Sequence, residues 1–220
     1  RLKDYTTRDT RITELSRAFR IELDTGWYTP AGVVHAPGSL CTYEPQWNSD
    51  VMAVWENVVN GEVFRYKDLS SYLPEEDKKD IEKIFEVADW ELNTAPNYRE
   101  RFFRRPIIEK QTDSYDQKWI VYGNDYVGAK ELTVYPGKEA VIQDDSAYGC
   151  LVIQGHGKIG KYDCESPTLI HYGELTADEF FVSKGKAISG VTVANQSKYE
   201  PLVILKHFGP DGNILPAQNN

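Results

Sequence analysis

The chain has 220 residues, of which 40% are hydrophobic and 27% charged. That is enough apolar material for one large domain or two small ones, and too much for a disordered chain. The formal net charge of −9 argues against a nucleic-acid partner, because a phosphate backbone favours a basic face. No apolar run approaches the roughly 20 residues that span a membrane, and three cysteines without CxxC spacing predict free thiols in a reducing, cytoplasmic compartment.

The first part of the chain, residues 1–67, is predicted to be a partial β region. Its apolar runs are separated by turn residues, as at Asp24-Thr25-Gly26 and Pro37-Gly38. The predicted strands are RAFRIEL, GWYTPAGVVH, SLCTYEP and DVMAVWENVV.

Residues 68–117 change period and are predicted to form a helical connector. In LPEEDKKDIEKIFEVADW, Pro74 suits a first helical position, and Ile81, Ile84 and Phe85 recur at helical spacing. A second short helix is predicted in APNYRERFF, ended by Pro106. The basic run RERFFRRP is interpreted as a solvated or salt-bridged face.

Residues 118–212 return to short strands, and residues 213–220 are predicted to be a tail. Strands of about five residues between Gly, Pro or Asp turns favour a closed antiparallel barrel or sandwich. The predicted strands are WIVYG, AKELTVYPG, EAVIQ, YGCLVIQG, GKIGKY, TLIHYGEL, EFFVSKG, GVTVANQ and PLVILKHF.

Two stretches resemble the cupin family. ELTVYPGKEAVIQDD, GCLVIQGHGKIG and the run from GELTADEFF to PLVILKHF follow its strand-and-turn order over residues 125–210. TGWYTPAGVVHAPG resembles the second cupin motif, in which Pro-x-Gly-x-x-His delivers a metal-binding histidine. The resemblance implies a mainly β protein of antiparallel jelly-roll barrels, one complete and one partial, joined by the helical connector in a bicupin arrangement.

The C-terminal stretch departs from the family's metal set. The two histidine places of the first motif fall on Gln143 and Asp145, and the glutamate place falls on Cys150. These residues could hold a metal, but the plainer interpretation is a structural barrel without one. Gln143 and Asp145 are therefore candidate substrate-binding residues.

The candidate catalytic and metal-binding residues lie in the N-terminal part. The resemblance makes His35 a metal ligand; the alternative is a histidine hydrogen-bonded to a backbone carbonyl. Strand alternation in LCTYEPQ would place Glu44 beside it as a second ligand or a general acid/base, and the alternative is a solvent-facing carboxylate. Tyr43 is a further catalytic candidate, and the substrate-binding candidates are Tyr28, Gln46 and Trp47.

Three functions follow from the resemblance. The first is a metal-binding cupin enzyme, using zinc, nickel, manganese or iron, that acts in an isomerase-like way on a sugar, sugar phosphate or keto/hydroxy acid. The second is a non-catalytic small-molecule-binding or dimerisation barrel, and the third is an iron-dependent oxygenase. A homodimer is expected under each, because edge strands such as RITEL tend to be covered by pairing.

Overall fold

The computed structural model describes residues 1–47, 53–169, 171–212 and 215. The chain divides into an N-terminal unit (residues 1–21, 29–41 and 48–99) and a C-terminal unit (residues 22–28, 42–47 and 100–220). The predicted strand DVMAVWENVV lies partly outside the described residues, as does almost all of the predicted tail. The four predicted domain ranges stay predictions.

The helices are short, and most of the strands fall in the second half of the chain. The helices are α1 (Tyr66–Ser70), α2 (Ile81–Glu86), α3 (Trp90–Thr94), α4 (Tyr98–Phe102) and α5 (Lys184–Ser189). The strands are β1 (Gly26–Trp27), β2 (Val58–Val59), β3 (Glu62–Val63), β4 (Phe103–Arg104), β5 (Ile107–Gln111), β6 (Tyr115–Val121), β7 (Gly128–Val134), β8 (Glu139–Ile142), β9 (Tyr148–Gln154), β10 (His156–Ile159), β11 (Tyr162–Glu165), β12 (Glu179–Val182), β13 (Val191–Asn195) and β14 (Leu202–Phe208). Among the described residues, no helix has the length and apolarity needed to cross a membrane.

Two large antiparallel sheets form most of the C-terminal unit, which also contains the two-stranded β1–β4 sheet. One has six strands in the order β12-β9-β14-β7-β6-β5, and the other has four in the order β11-β10-β13-β8. A single apolar core draws on both sheets, including Leu132 and Ile204 from the larger one and Ile142 and Val193 from the smaller. The prediction of a mainly β, antiparallel architecture is confirmed. The described residues do not form a closed barrel or a second, partial one.

The N-terminal unit contains a separate small core of Leu2, Tyr5, Leu69 and Ile84. The buried side chain of Asn57 organises it by accepting from the Thr10 amide at 2.9 Å and donating to the carbonyl of Tyr5. Such paired polar groups replace the strand hydrogen bonds that the sequence suggested.

Several predicted elements are wrong. No strand forms in residues 17–23 or 39–45, and RITEL contains the 3-10 helix Ile12–Leu15, so it cannot serve as an edge strand. TLIHYGEL begins in the 3-10 helix Pro167–Leu169, Ile170 lies outside the described residues, and residues 171–175 form no strand. The apolar residues of these short runs were not enough to make them strands. Among the described residues, no neighbouring strand pairs with them to complete their hydrogen bonds.

Helix boundaries were predicted in part. The helix expected from Pro74 begins at Ile81, where the Asp80 side chain caps it by accepting from the Glu82 amide at 2.9 Å. The short helix expected in 95–103 is present as α4 and ends before Pro106. The predicted strand EFFVSKG ends early, at Val182, because Lys184 and Gly185 already belong to α5.

Candidate ligand site in the C-terminal unit

The predicted metal ligands His35 and Glu44 are both exposed and belong to different units. The Nδ1 atom of His35 lies 2.9 Å from the Val33 carbonyl oxygen, which is the alternative role considered for this residue. Glu44 accepts a hydrogen bond from Thr42 at 2.9 Å. The strand predicted in LCTYEPQ does not form, so the strand alternation that placed Glu44 inward is wrong. Among the described residues, no group of three or more His, Cys, Asp or Glu side chains could hold a metal ion.

The predicted aromatic site residues each pack against a different ring. The Tyr28 ring lies 6.0 Å from that of Phe102, and the Trp47 ring lies 5.8 Å from that of Tyr126. Gln46 is exposed.

Tyr43 packs against His207 on β14, with their ring centroids 6.4 Å apart. Its hydroxyl is buried with no hydrogen-bond partner among the described residues, and burial raises its pKa. That environment opposes proton transfer by this hydroxyl near neutral pH. The roles assigned to Tyr43 and the other aromatic residues stay predictions.

Sequence comparison with the cupin motif missed the inward residue by one position. Gln143 and Asp145 are exposed, whereas Asp144 between them is buried in phase with Ile142 and Ser146. Gln143 and Asp145 still lie among the residues that line the cavity described below. Asp144, not its neighbours, reaches the interior.

Five side chains form a closed hydrogen-bonded ring inside the C-terminal unit. Lys130 Nζ donates to Asp144 Oδ1 at 3.0 Å and to Glu109 Oε1 at 2.7 Å. Lys206 Nζ donates to Asp144 Oδ2 at 2.6 Å and to Gln117 Oε1 at 2.6 Å. The amide of Gln117 closes the ring by donating to Glu109 Oε2. This set is called the lysine–carboxylate ring.

The strands place the ring residues by simple alternation. Lys130 is in phase with Leu132 and Val134 on β7, and Lys206 is in phase with Ile204 and Phe208 on β14. Lys206 lies directly opposite Lys130 in the β7–β14 pairing. A lysine in phase with three core residues of a strand was therefore the sequence signal that would have found this site.

The ring is a low-dielectric cluster of compensating charges. Side-chain exposure is 1% for Asp144, 2% for Lys206 and 9% for Lys130, against 32% for Glu109. Burial lowers the pKa of the Lys206 ammonium; the charge of Asp144 opposes this shift, and the ammonium of Lys130 reinforces it. Two ammonium groups and two carboxylates balance, which is how buried charges are tolerated.

Aromatic rings cover the lysine heads. Lys130 Nζ lies 4.6 Å from the Trp119 ring centroid, and Lys206 Nζ lies 4.9 Å from that of Tyr148. Cation–π attraction at these distances holds each ammonium in place. Aromatic contacts thus add to the hydrogen bonds that position the two ammonium groups.

A cavity of about 220 Å³ opens above the ring. Four ring members, Glu109, Gln117, Lys130 and Asp144, line it, while Lys206 lies beneath. The remaining lining residues mix polar and apolar side chains, three of them aromatic: Lys110, Tyr115, Trp119, Val141, Ile142, Gln143, Asp145, Ser146, Phe208, Asp211 and Gly212.

The two buried thiols near this core are not suited to nucleophilic chemistry. Burial raises the pKa of Cys150 to about 12 and that of Cys164 to about 11. The prediction that the cysteines are free is confirmed for Cys41, Cys150 and Cys164.

The interior donor set does not fit the metal that the cupin resemblance implies. Both oxygens of Asp144 already accept from lysine ammonium groups, and two positive charges within hydrogen-bond distance would repel a divalent cation. The usual imidazole ligands of such metals are absent from the ring. No chemical step is therefore assigned to a metal here.

No protein-family model matches the chain, and no curated protein matches it in sequence. Among similar solved structures is an RmlC-like cupin from Shewanella frigidimarina, with 15% identity, a TM-score of 0.33, and coverage of 48% of this chain and 84% of that one. The polyketide cyclase RemF from Streptomyces resistomycificus has 9% identity, a TM-score of 0.36, and coverage of 52% and 82%.

A complex of Rhodobacter sphaeroides SigE with the anti-sigma ChrR has 14% identity, a TM-score of 0.34, and coverage of 46% of each chain. Cupin-type proteins are thus among the structures similar to this chain, at a level that assigns no function. The bicupin arrangement stays a prediction.

Proposed function

We propose that the C-terminal unit binds a small polar molecule in the cavity above the lysine–carboxylate ring. The single observation that carries this is a ring of hydrogen-bonded donors and acceptors, four of whose five members line a cavity together with aromatic side chains. Concave sites with a few fixed polar groups and an apolar lining are the usual form of small-molecule sites. This is the binding-protein alternative of the three functions.

The size of the cavity restricts the ligand. Its volume of about 220 Å³ is smaller than the roughly 300–1,000 Å³ of pockets for drug-sized ligands. A monosaccharide or a short hydroxy or keto acid is of the right scale. A nucleotide sugar would have to extend out of the mouth.

The ring has hydrogen-bonding capacity left for a ligand. A lysine ammonium has three donors, and Lys130 uses two of them on carboxylates. Each carboxylate oxygen of Glu109 and Asp144 has a further lone pair. A ligand with hydroxyl groups can use these remaining positions while the ring stays closed.

The other two functions have less support. A metal-dependent isomerase and an iron oxygenase both need a ligand set that the ring chemistry disfavours, and His35 and Glu44 make only local contacts. Both functions remain predictions from the resemblance, as does the homodimer.

Binding of a panel of small polyols, sugars and organic acids, followed by calorimetry, tests the proposal. Lys130→Met removes a cavity donor, whereas Lys138→Met changes an exposed lysine of the same unit. We expect a ligand whose affinity falls at least tenfold in Lys130→Met and is unchanged in Lys138→Met. Equal affinities in both variants would place the ligand elsewhere and contradict the proposal.

A further inference from the structure

Glu109 differs from the rest of the lysine–carboxylate ring in how it is held. It lies on β5, the edge strand of the six-stranded sheet. The β5–β6 pairing is Ile108 with Lys118 and then Lys110 with Gln117, so Glu109 is the extra residue of a β-bulge. Bulges commonly re-aim a side chain next to a functional site.

Glu109 is also the most exposed member of the ring. About a third of its side chain is accessible, whereas the other charged members are nearly fully buried. Its carboxylate bridges Lys130 Nζ, at 2.7 Å, and the Gln117 amide. The Glu109 carboxylate therefore bridges the two donors that face the cavity. Because it is also the most exposed member, it can leave the ring with the least disturbance to the others.

Removing the Glu109 carboxylate would leave an uncompensated positive charge. Lys130 and Lys206 carry two positive charges, and Asp144 supplies one negative charge. A buried excess cation in an apolar setting is costly unless an anion pairs with it. The floor of the cavity without Glu109 is thus a receptor for one carboxylate.

We infer that Glu109 occupies the position of a ligand carboxylate, and that the cavity takes a small monocarboxylic acid which displaces it. The ligand carboxylate accepts from Lys130 Nζ and the Gln117 amide, as Glu109 does in the free protein, while Glu109 turns outward from its bulge. The remainder of the ligand lies along Trp119 and Phe208. This inference rests on the proposed function and narrows its ligand class to small monocarboxylic acids.

Acetate is a suitable probe for this inference, because it is a small carboxylate that could take the position of the Glu109 carboxylate. In Glu109→Ala the position is vacated, and we expect acetate to bind at least tenfold more tightly than to the unmodified protein by calorimetry. Acetamide, which has the same shape without the charge, should show no such gain. Adding Lys130→Met to Glu109→Ala should abolish the gain.

Two variants keep the result interpretable. Glu139→Ala removes an exposed strand carboxylate outside the cavity and should leave acetate affinity unchanged. If Glu109→Ala does not fold, Glu109→Gln gives the same test, because a neutral amide competes less well for Lys130.

Acetate affinities within twofold in the Glu109 variants and the unmodified protein would overturn the inference, as would an equal gain for acetamide. If either of these results is found and a neutral polyol still binds in a Lys130-dependent way, the proposed function stands while this inference fails. If no member of the panel binds, the proposed function itself fails.

Discussion

At the scale of single residues, Asp144 is the centre of the ring, because it alone pairs with both buried lysines. Asp144→Asn leaves those ammonium groups without their shared carboxylate. Breaking a buried ion pair on one side typically costs about 3–5 kcal/mol, so we expect a loss of that size in the free energy of unfolding by chemical denaturation.

The matched control for Asp144 is Asp163→Asn, which breaks the exposed Lys158–Asp163 pair at 2.6 Å. Exposed pairs contribute about 0–1 kcal/mol. Similar losses in the two variants would show that the ring is not formed as described.

His207 gives a pH dependence at the residue scale. Burial lowers its pKa, with Glu179 acting in the opposite direction, and its buried Nδ1 atom has no hydrogen-bond partner in the part of the chain that the structure describes. As pH falls below the unfolded pKa of about 6.5, the unfolded chain binds a proton before the folded one does. Stability is therefore lost on acidification towards the folded pKa.

We expect His207→Gln to lose less stability than the unmodified protein between about pH 7.5 and about pH 5.5, a window around the unperturbed histidine pKa. Denaturation curves at both pH values measure this. The control is His171→Gln, since His171 is exposed, and an identical pH slope in the His207 and His171 variants would contradict the assignment.

At the scale of elements, glycine positions report how closely strands approach. A Cβ on Gly157 of β10 would lie 2.0 Å from the Ala194 carbonyl oxygen, a backbone atom that cannot move aside. Overpacking of this kind costs about 1–3 kcal/mol, so Gly157→Ala should lower the free energy of unfolding by that amount.

Gly185 of α5 is the comparison, because its Cβ would meet no atom within 4 Å. Gly185→Ala should stabilise the protein by about 0.5–1 kcal/mol through helix propensity. Thermal or chemical denaturation of both variants checks the pair, and a neutral Gly157→Ala would contradict the close β10–β13 approach.

The elements also show what the sequence could and could not predict. Strands β7, β9, β13 and β14 were predicted because each contains a short apolar run bounded by turn residues. The runs RAFRIEL and SLCTYEP have similar composition, but no strand among the described residues pairs with them, and pairing is not visible in a single segment.

The candidate site was missed for a related reason. The family motif directed attention to Gln143 and Asp145, one position either side of the buried Asp144. A shift of one residue in a strand exchanges the two faces, so a motif aligned by spacing gave the wrong face. Glu109 lies at a bulge, which no local pattern in the sequence signals.

At the scale of the whole molecule, the C-terminal unit incorporates early parts of the chain. Residues 22–28 and 42–47 belong to it, and β1 pairs with β4. Lys118 Nζ ties the first of these segments to the sheet, at 2.7 Å from Asp24 Oδ2 and 2.8 Å from Glu131 Oε1.

Lys118→Met should cost about 1–3 kcal/mol, because it leaves two carboxylates facing each other with no cation. Burial raises the pKa of Glu131, so part of the loss should be recovered on acidification as that group protonates. Lys158→Met, in an exposed pair, is the control. Losses of equal size in the two lysine variants would show that the segment is not tied to the sheet in solution.

The measurement that tests the central claim most directly is the ¹⁵N–¹H NMR spectrum of the Gln117 side-chain amide, assigned with Gln117→Ala. This amide is part of the ring and lines the cavity. We expect the Gln117 amide signals to move when a small polar ligand binds, and we expect this change to disappear in Lys130→Met. A ligand that binds with these signals unmoved would contradict the claim that the ring is the floor of the binding site.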